Sequence, residues 1–155
     1  MGRKYGPDGR KSMSASVLIA DDEPNISRAL SFLMQREGHQ VRTVADGQQA
    51  LAAIAEMAPD VVLLDLMMPR GNGYDVCRTL RANPSYDDIR IVMLTAKGGE
   101  ADRLVGMDLG ADAYITKPFA TGEVVKCVAE VLARRQSQTA APGGLLPPGA
   151  GRRQS

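Results

Sequence analysis

Short apolar runs alternate with longer amphipathic segments along the chain. Five runs are apolar and have the length of buried strands, at 17–20, 41–45, 61–65, 91–95 and 113–116. Three segments between these runs and one after the last repeat apolar residues at helical spacing, at 24–38, 48–57, 73–81 and 123–134. Alternation of this kind predicts an α/β fold of five strand–helix units, in which a parallel sheet is covered by helices on both faces.

The length and the ends of the chain predict one folded domain. The chain has 155 residues, and the alternating pattern occupies residues 14–135. Residues 1–13 are rich in Gly and basic residues and are predicted to be a flexible leader outside the fold. Residues 136–155 combine Pro, Gly, Ala and Gln without periodicity, which predicts a disordered tail or a linker.

Composition excludes several classes of function. The chain has 19 Lys and Arg against 18 Asp and Glu, so its charge indicates neither nucleic acid nor an acidic membrane surface as a partner. No apolar run has the length of a membrane span or a signal peptide, so we expect a cytoplasmic protein. Cys77 and Cys127 lie far apart in helical segments and are interpreted as small apolar residues.

Polar residues collect where the predicted strands end. Asp21 and Asp22 follow the first strand, and Asp65 ends the third. Thr95 ends the fourth strand, and Lys117 follows the fifth. The carboxyl ends of parallel strands meet at one edge of the sheet, where ligands bind in open α/β folds. The sequence therefore predicts one site built from these five side chains.

The predicted site has the chemistry of phosphoryl transfer. The carboxylates of Asp21, Asp22 and Asp65 repel one another unless a hard divalent cation lies among them, and oxygen ligands suit Mg²⁺ or Mn²⁺. Asp65 can attack phosphorus to form an acyl phosphate. Lys117 and Thr95 can neutralise or bind the phosphoryl oxygens. Taken singly, these residues also fit a helix N-cap, a strand-end hydroxyl or a solvated surface charge.

Four motifs together resemble the receiver domain of two-component response regulators. They are DDEP at 21–24, LLDLMMPRGNG at 63–73, MLTA at 93–96 and YITKPF at 114–119. The resemblance covers residues 16–135 and implies a receiver domain at 14–135. It also implies a doubly wound, flavodoxin-like (βα)5 fold, a three-layer sandwich whose parallel five-stranded sheet has the order 2-1-3-4-5.

The resemblance also implies a role for each site residue. Asp65 matches the phosphoacceptor. Asp21 and Asp22 match the acidic pair that holds Mg²⁺ together with Asp65, and the backbone carbonyl of Met67 would be a further ligand. Asp22 would bind the cation directly, and Asp21 largely through water.

The remaining motif residues match the phosphate-binding and switching positions of the family. Lys117 matches the phosphate-binding lysine, which precedes a cis bond to Pro118. Thr95 matches the hydroxyl that moves onto the phosphoryl group, and Ala96 is its neighbour in the phosphate-binding set. Tyr114 matches the aromatic side chain that turns inward behind that hydroxyl.

By this resemblance the protein would be a phosphorylation-activated regulator rather than a turnover enzyme. A sensor histidine kinase or phosphotransfer protein would phosphorylate Asp65, which would change the surface formed by helix 4, strand 5 and helix 5. The partner of that surface would be a downstream protein or a fused output domain, with no direct nucleic-acid or membrane binding. The chain is expected to be a monomer, or a dimer through that surface on activation. It would be either a single-domain regulator or part of a longer one.

Two other interpretations fit the sequence less well. A phosphatase of the haloacid dehalogenase type also uses a strand-end Asp and Mg²⁺, but it needs a second acid where this chain has Met67. A dinucleotide site at residues 71–73 would need a glycine-rich turn after the first strand, where this chain has acids. His39, the only histidine, is expected at the surface and far from the acidic edge.

Overall fold

The computed structural model describes residues 14–96 and 107–140, with side chains as far as Arg134. The strands within these residues are β1 (Ser16–Ala20), β2 (Gln40–Val44), β3 (Val61–Asp65), β4 (Arg90–Ala96) and β5 (Ala113–Lys117). The α-helices are α1 (Pro24–Arg36), α2 (Gly47–Glu56), α3 (Gly73–Arg81) and a helix at Thr121–Ala140, which we call the long helix. The predicted helix 4 falls between β4 and β5, mostly in residues 97–106, which lie outside the described residues.

All the strands pair in parallel in the order β2-β1-β3-β4-β5. This order confirms the predicted flavodoxin-like topology. β3 lies at the centre, where each of its residues is buried, as expected for a strand covered on both faces. In the register of the sheet Asp65 pairs with Leu94, and Ala96 pairs with Lys117. The polar strand ends therefore meet at the carboxyl edge.

The sheet separates two apolar cores, because successive side chains of a strand point to opposite faces. Val17 and Ile19 of β1 lie in the core that the sheet forms with α1 and the long helix. Leu18 and Ala20 lie in the core formed with α2 and α3. Helices on both faces of one sheet confirm the predicted three layers.

The side chain of Arg81 links the last turn of α3 by hydrogen bonds to the amino edge of the sheet, where the strands begin. Its Nε donates to the carbonyl of Gly110 (3.0 Å), and its Nη1 donates to the carbonyl of Tyr86 (3.1 Å). Its Nη2 donates to the carbonyl of Ile89 (2.8 Å) and to Oδ2 of Asp112 (3.1 Å). Arg81 thus joins three chain segments at the edge opposite the acidic residues.

Histidine 39 lies at that amino edge and is half-buried rather than fully exposed. Its Nδ1 accepts a hydrogen bond from the backbone N–H of Ala15 (3.0 Å). Burial lowers the pKa of His39 below its ordinary value, although the charges of Glu37 and Asp60 oppose this. The imidazole therefore serves as a neutral acceptor that holds the start of β1.

The long helix extends beyond its predicted range of 123–134 at both ends. It begins at Thr121, and its last turns include residues 136–140, which the sequence pattern assigns to the tail. Gln and Ala in this stretch have favourable helix propensity. Residues 1–13 and 141–155 lie outside the described residues, so the division into leader, domain and tail stays a prediction. Among the helices that the structure describes, none has the length and apolarity to cross a membrane.

Candidate functional site

Three aspartates form an acidic cluster at the carboxyl edge of the sheet. Asp21 and Asp22 follow β1, and Asp65 is the last residue of β3. A carboxylate oxygen from each lies within 4.8 Å of the others. Asp21 and Asp65 are buried, whereas Asp22 is exposed. The structure thus brings the three predicted acids together.

Backbone hydrogen bonds orient the two buried carboxylates. Oδ1 of Asp21 accepts from the N–H of Glu23 (2.9 Å), and the Asp21 N–H donates to the carbonyl of Val44 (3.1 Å). Oδ1 of Asp65 accepts from the N–H of Met67 (3.1 Å). Each carboxylate is therefore held by the loop that follows its own strand.

Lysine 117 reaches into the cluster from the end of β5. Its Nζ lies 2.9 Å from Oδ2 of Asp21, 3.3 Å from Oε1 of Glu23 and 3.6 Å from Oδ1 of Asp65. Burial acts to lower the pKa of Lys117, but the hydrogen bond and charge of Asp21 outweigh it and raise the pKa above its ordinary value. The ammonium therefore stays charged beside Asp65. The peptide bond between Lys117 and Pro118 is cis.

The environment of Asp65 opposes its ionisation. The pKa of Asp65 is raised to about 6, chiefly by burial; the charges of Asp21 and Asp22 act in the same direction, while the Met67 N–H and Lys117 act against the shift. A site that collects carboxylates and disfavours their charge fits a hard divalent cation, since oxygen donors are what Mg²⁺ and Mn²⁺ prefer. Asp21, Asp22 and Asp65 are the residues that could hold such an ion.

The remaining predicted residues lie on β4 and β5. Thr95 is buried, and its hydroxyl donates to the carbonyl of Ala96 (3.0 Å). Ala96 is exposed and pairs with Lys117 in the sheet. Tyr114 lies three residues before Lys117; it is half-buried and packs against the core beneath α2 and α3. Thr95 and Ala96 therefore border the acidic edge, whereas Tyr114 lies nearer the start of β5, away from that edge.

Comparison with known proteins identifies the family. Residues 17–129 match the family model of the response regulator receiver domain. The chain belongs to this family.

Curated relatives and solved structures agree with that assignment. The receiver is 43% identical over 129 residues to the DNA-binding response regulator MtrA of Mycolicibacterium smegmatis, covering 83% of this chain and 55% of the relative. It is 44% identical over 119 residues to the sensory transduction protein RegX3 of the same organism, covering 77% and 51%. A crystal structure from Chloroflexus aurantiacus, described as a response regulator, superposes with a TM-score of 0.75 at 34% identity, covering 78% of this chain and 99% of that one. The chain spans about half the length of the curated relatives it matches.

The receiver contains site-adjacent residues that the sequence analysis did not single out. Glu23 was not assigned a role, yet its side chain contacts Lys117. Asp46 and Arg70 form an ion pair of 2.7 Å that joins the start of α2 to the loop after Asp65. The DDEP motif already contains Glu23, but no sequence signal relates Asp46 to Arg70.

The raised pKa of Asp65 predicts a pH-dependent gain in stability for Asp65→Asn in the metal-free receiver. The folded pKa of about 6 exceeds the ordinary value of 3.8, so the folded receiver binds more protons than the unfolded chain between these values, and its stability falls as the pH rises through them. Because one pKa unit corresponds to about 1.4 kcal/mol, the substitution should raise the free energy of unfolding by about 2 kcal/mol at pH 8.

Urea unfolding at several pH values in the presence of a chelator checks this prediction. The gain should shrink as the pH falls from 6 to 4, because the folded wild-type carboxyl group becomes protonated and loses the charge that burial disfavours. Asp87→Asn, which alters an exposed carboxylate, is the matched control and should change the free energy by less than about 0.5 kcal/mol. A gain from Asp65→Asn that is equal at pH 4 and pH 8 would contradict the explanation.

Proposed function

We propose that this receiver accepts a phosphoryl group on Asp65 from a sensor histidine kinase or phosphotransfer protein and thereby changes a protein-binding surface. The observation that carries the proposal is the environment of Asp65. Its carboxylate is buried at the end of the central strand, within 4.8 Å of two further carboxylates and 3.6 Å from the Lys117 ammonium. A nucleophile, a set of metal ligands and a cation for the phosphoryl oxygens thus lie together.

The phosphorylation step uses groups that are already in place. An oxygen of the Asp65 carboxylate attacks phosphorus, while the bond from phosphorus to the donor histidine nitrogen, or to the acetate oxygen of acetyl phosphate, breaks and the leaving group keeps the electron pair. Asp21, Asp22 and Asp65, with the Met67 carbonyl, would hold Mg²⁺, which supplies charge neutralisation at the phosphoryl oxygens when it is bound. Lys117 supplies a second positive charge.

The response to phosphorylation would begin at Thr95. Its hydroxyl donates to the adjacent Ala96 carbonyl, and a phosphoryl group on Asp65 would offer it a stronger, anionic acceptor. Reorientation of Thr95 would draw the end of β4 towards Asp65 and make room for the Tyr114 ring to turn inward. Tyr114 supports this role because it packs against the core and also lines a surface groove.

That groove supports the proposed output surface. It has a volume of about 380 Å³ and lies between β5 and the long helix, where Tyr114, Glu123, Lys126 and Cys127 contribute to its lining. Movement of the Tyr114 ring would change its shape. The proposed partner is a downstream protein or an output domain in the same polypeptide. Dimerisation through the surface of helix 4, β5 and the long helix belongs to the same proposal.

In this role the receiver would be a cytoplasmic switch rather than an enzyme with turnover. Nucleic-acid contacts are assigned to other domains or partners, because the chain has a net charge of only +1. The name of MtrA describes that relative as DNA-binding, and the relative is considerably longer than this chain. A DNA-binding output, if one is joined to this receiver, would therefore belong to a separate output domain and not to the receiver itself.

Incubation with acetyl phosphate tests the proposed function. We expect the intact mass of the wild-type receiver to increase by one phosphoryl group in the presence of Mg²⁺, and the increase to be absent when EDTA is added first. Hydroxylamine should remove the group, because it cleaves acyl phosphates but leaves phosphate esters of Ser and Thr intact. Absence of an adduct, or an adduct that resists hydroxylamine, would contradict the proposal.

Met67 predicts a long-lived phosphoryl group. Its side chain is exposed beside Asp65, and a thioether has no hydrogen-bond donor with which to position an attacking water. Met67→Asn should shorten the lifetime of the phosphoryl group about tenfold, because an amide can orient water towards phosphorus. The lifetime is measured from the decay of the intact-mass adduct after acetyl phosphate is removed.

The same substitution at Met57 is the control. Met57 is also exposed but lies at the end of α2, close to the amino edge of the sheet, so Met57→Asn should leave the lifetime unchanged. If Met67→Asn left the lifetime unchanged or lengthened it, water positioning at residue 67 would not limit hydrolysis.

A further inference from the structure

The loop after β3, residues 66–72, is fastened to the first turn of α2 by a forked ion pair. Nε and Nη2 of Arg70 both donate to Oδ2 of Asp46, over 3.1 and 2.7 Å. The other carboxylate oxygen of Asp46 accepts from the N–H of Gln49 (2.7 Å) and caps α2. Asp46 is buried, so it has little access to water and relies on these partners.

Close backbone contacts reinforce the ion pair. The N–H of Gln48 donates to the carbonyl of Arg70 (3.1 Å), and the N–H of Gly47 lies 3.4 Å from the carbonyl oxygen of Pro69. A Cβ atom on Gly47 would lie 2.0 Å from the carbonyl oxygen of Gly71, so only glycine fits there. We call Asp46, Gly47, Arg70 and Gly71 together the α2 clamp.

Arg70 adopts a backbone conformation that requires such support. Its φ angle is 50°, in the left-handed region that residues other than glycine rarely occupy. A residue held there is strained and persists only when its surroundings constrain it. The hydrogen bond of Gln49 and the guanidinium of Arg70 also lower the pKa of Asp46, so the carboxylate stays ionised through neutral pH.

The clamped loop is the one that carries Met67 beside Asp65. The Met67 N–H donates to Oδ1 of Asp65, and the Gly73 N–H donates to the carbonyl of Leu66 (3.1 Å). A Cβ atom on Gly73 would lie 2.7 Å from the carbonyl oxygen of Asp65, so α3 begins directly against the end of β3. The short segment that contains Met67 is thus held on one side by Asp65 and Gly73 and on the other by the clamp.

We propose that Asp46 and Arg70 are positioning residues for divalent-cation binding, which hold the loop so that the Met67 peptide stays against the Asp65 carboxylate. The proposal rests on the proposed function, because the cation site is the one formed by the three aspartates. Neither residue is a ligand or part of the acidic cluster. Their effect is transmitted through residues 67–71.

The direction in which Arg70→Gln changes the Mn²⁺ affinity distinguishes a positioning role from a purely electrostatic one. Removing a positive charge near an acidic cluster should by itself strengthen cation binding. Loss of positioning should instead weaken Mn²⁺ binding by about tenfold, the scale of losses when residues that orient metal ligands are replaced. Titration calorimetry with Mn²⁺ alone measures the affinity without requiring phosphorylation.

Three further variants test the same contact without loss of the α2 N-cap and control for the removal of a positive charge. Asp46→Asn preserves the N-cap, because Asn caps helices about as well as Asp, and it should weaken Mn²⁺ binding to a similar extent. The double variant Asp46→Asn/Arg70→Gln should be no worse than either single variant, since both disrupt one contact. Arg78→Gln removes a guanidinium from an exposed pair with Asp75 on α3 and should not weaken binding.

Amide hydrogen exchange supplies a readout at the proposed point of action. In Arg70→Gln the Met67 amide should exchange faster, whereas the amides of the buried strand β3 should exchange at the wild-type rate. If the wild-type receiver binds Mn²⁺ and is phosphorylated, but Arg70→Gln binds Mn²⁺ as tightly as the wild type or more tightly, this proposal alone is overturned. A wild-type receiver that neither binds Mn²⁺ nor is phosphorylated would overturn the proposed function as well.

Discussion

Replacement of Asp65 by Asn is expected to abolish phosphorylation by acetyl phosphate. Asn retains the shape of the side chain and can still accept the hydrogen bond from the Met67 N–H, but it lacks the anionic oxygen that attacks phosphorus. Removal of an enzyme's nucleophile lowers rates by several orders of magnitude, and we expect a loss of at least about a thousandfold. Intact-protein mass, followed over time at a fixed acetyl phosphate concentration, measures the rate.

Two further variants show whether the loss is specific to Asp65. Asp75→Asn alters an exposed carboxylate on α3 that pairs with Arg78, and it should be phosphorylated at the wild-type rate. Asp22→Asn removes a proposed metal ligand but keeps the nucleophile, so raising the Mg²⁺ concentration should recover part of its activity. Phosphorylation of Asp65→Asn at a rate close to that of the wild type would exclude Asp65 as the acceptor.

Replacement of Arg81 by Met is expected to cause the largest loss of stability among the substitutions considered. The guanidinium donates to the carbonyls of Tyr86, Ile89 and Gly110 and to the carboxylate of Asp112. Its side chain is only 19% exposed, so Met would fill much of the space but leave these acceptors without their donor. We expect the free energy of unfolding to fall by about 3 kcal/mol, as when one partner of a buried ion pair is removed.

Urea unfolding measures this loss, and Arg78→Met is its control on the same helix. Arg78 and its partner Asp75 are 61% and 56% exposed, so their ion pair should contribute less than about 1 kcal/mol. Arg81 lies at the edge opposite the acidic cluster, so the folded Arg81→Met receiver should bind Mn²⁺ with unchanged affinity. Equal losses of stability from the two variants would show that the buried contacts of Arg81 stabilise the fold no more than an exposed ion pair does.

The fold could be predicted from the sequence mainly where burial is uniform. β3 was predicted at 61–65 and α3 at 73–81, as observed, because the strand is buried on both faces and the Pro/Gly-rich loop separates it from the helix. β2 is an edge strand of mixed exposure, and its predicted range of 41–45 is one residue late. The long helix extends further than its apolar pattern, because that pattern marks only the residues of a helix that face a core, whereas residues such as Gln and Ala favour a helix without it.

The cluster at the carboxyl edge was predictable because topology places the ends of parallel strands together. That rule alone is enough to predict the proximity of four side chains, Asp21, Asp22, Asp65 and Lys117. The α2 clamp could not be predicted in this way. It depends on the left-handed conformation of Arg70 and on a contact with a residue far away in sequence, and neither leaves a periodic signal.

Trapping the modified residue would show directly whether Asp65 carries the phosphoryl group. Borohydride reduces an acyl phosphate to an alcohol, so reduction of the phosphorylated wild-type receiver converts the modified aspartate to homoserine, which peptide mass spectrometry locates. We expect homoserine in place of Asp65, only in samples treated with both acetyl phosphate and Mg²⁺. Homoserine at Asp21, at Asp22 or at an aspartate outside the cluster would contradict it.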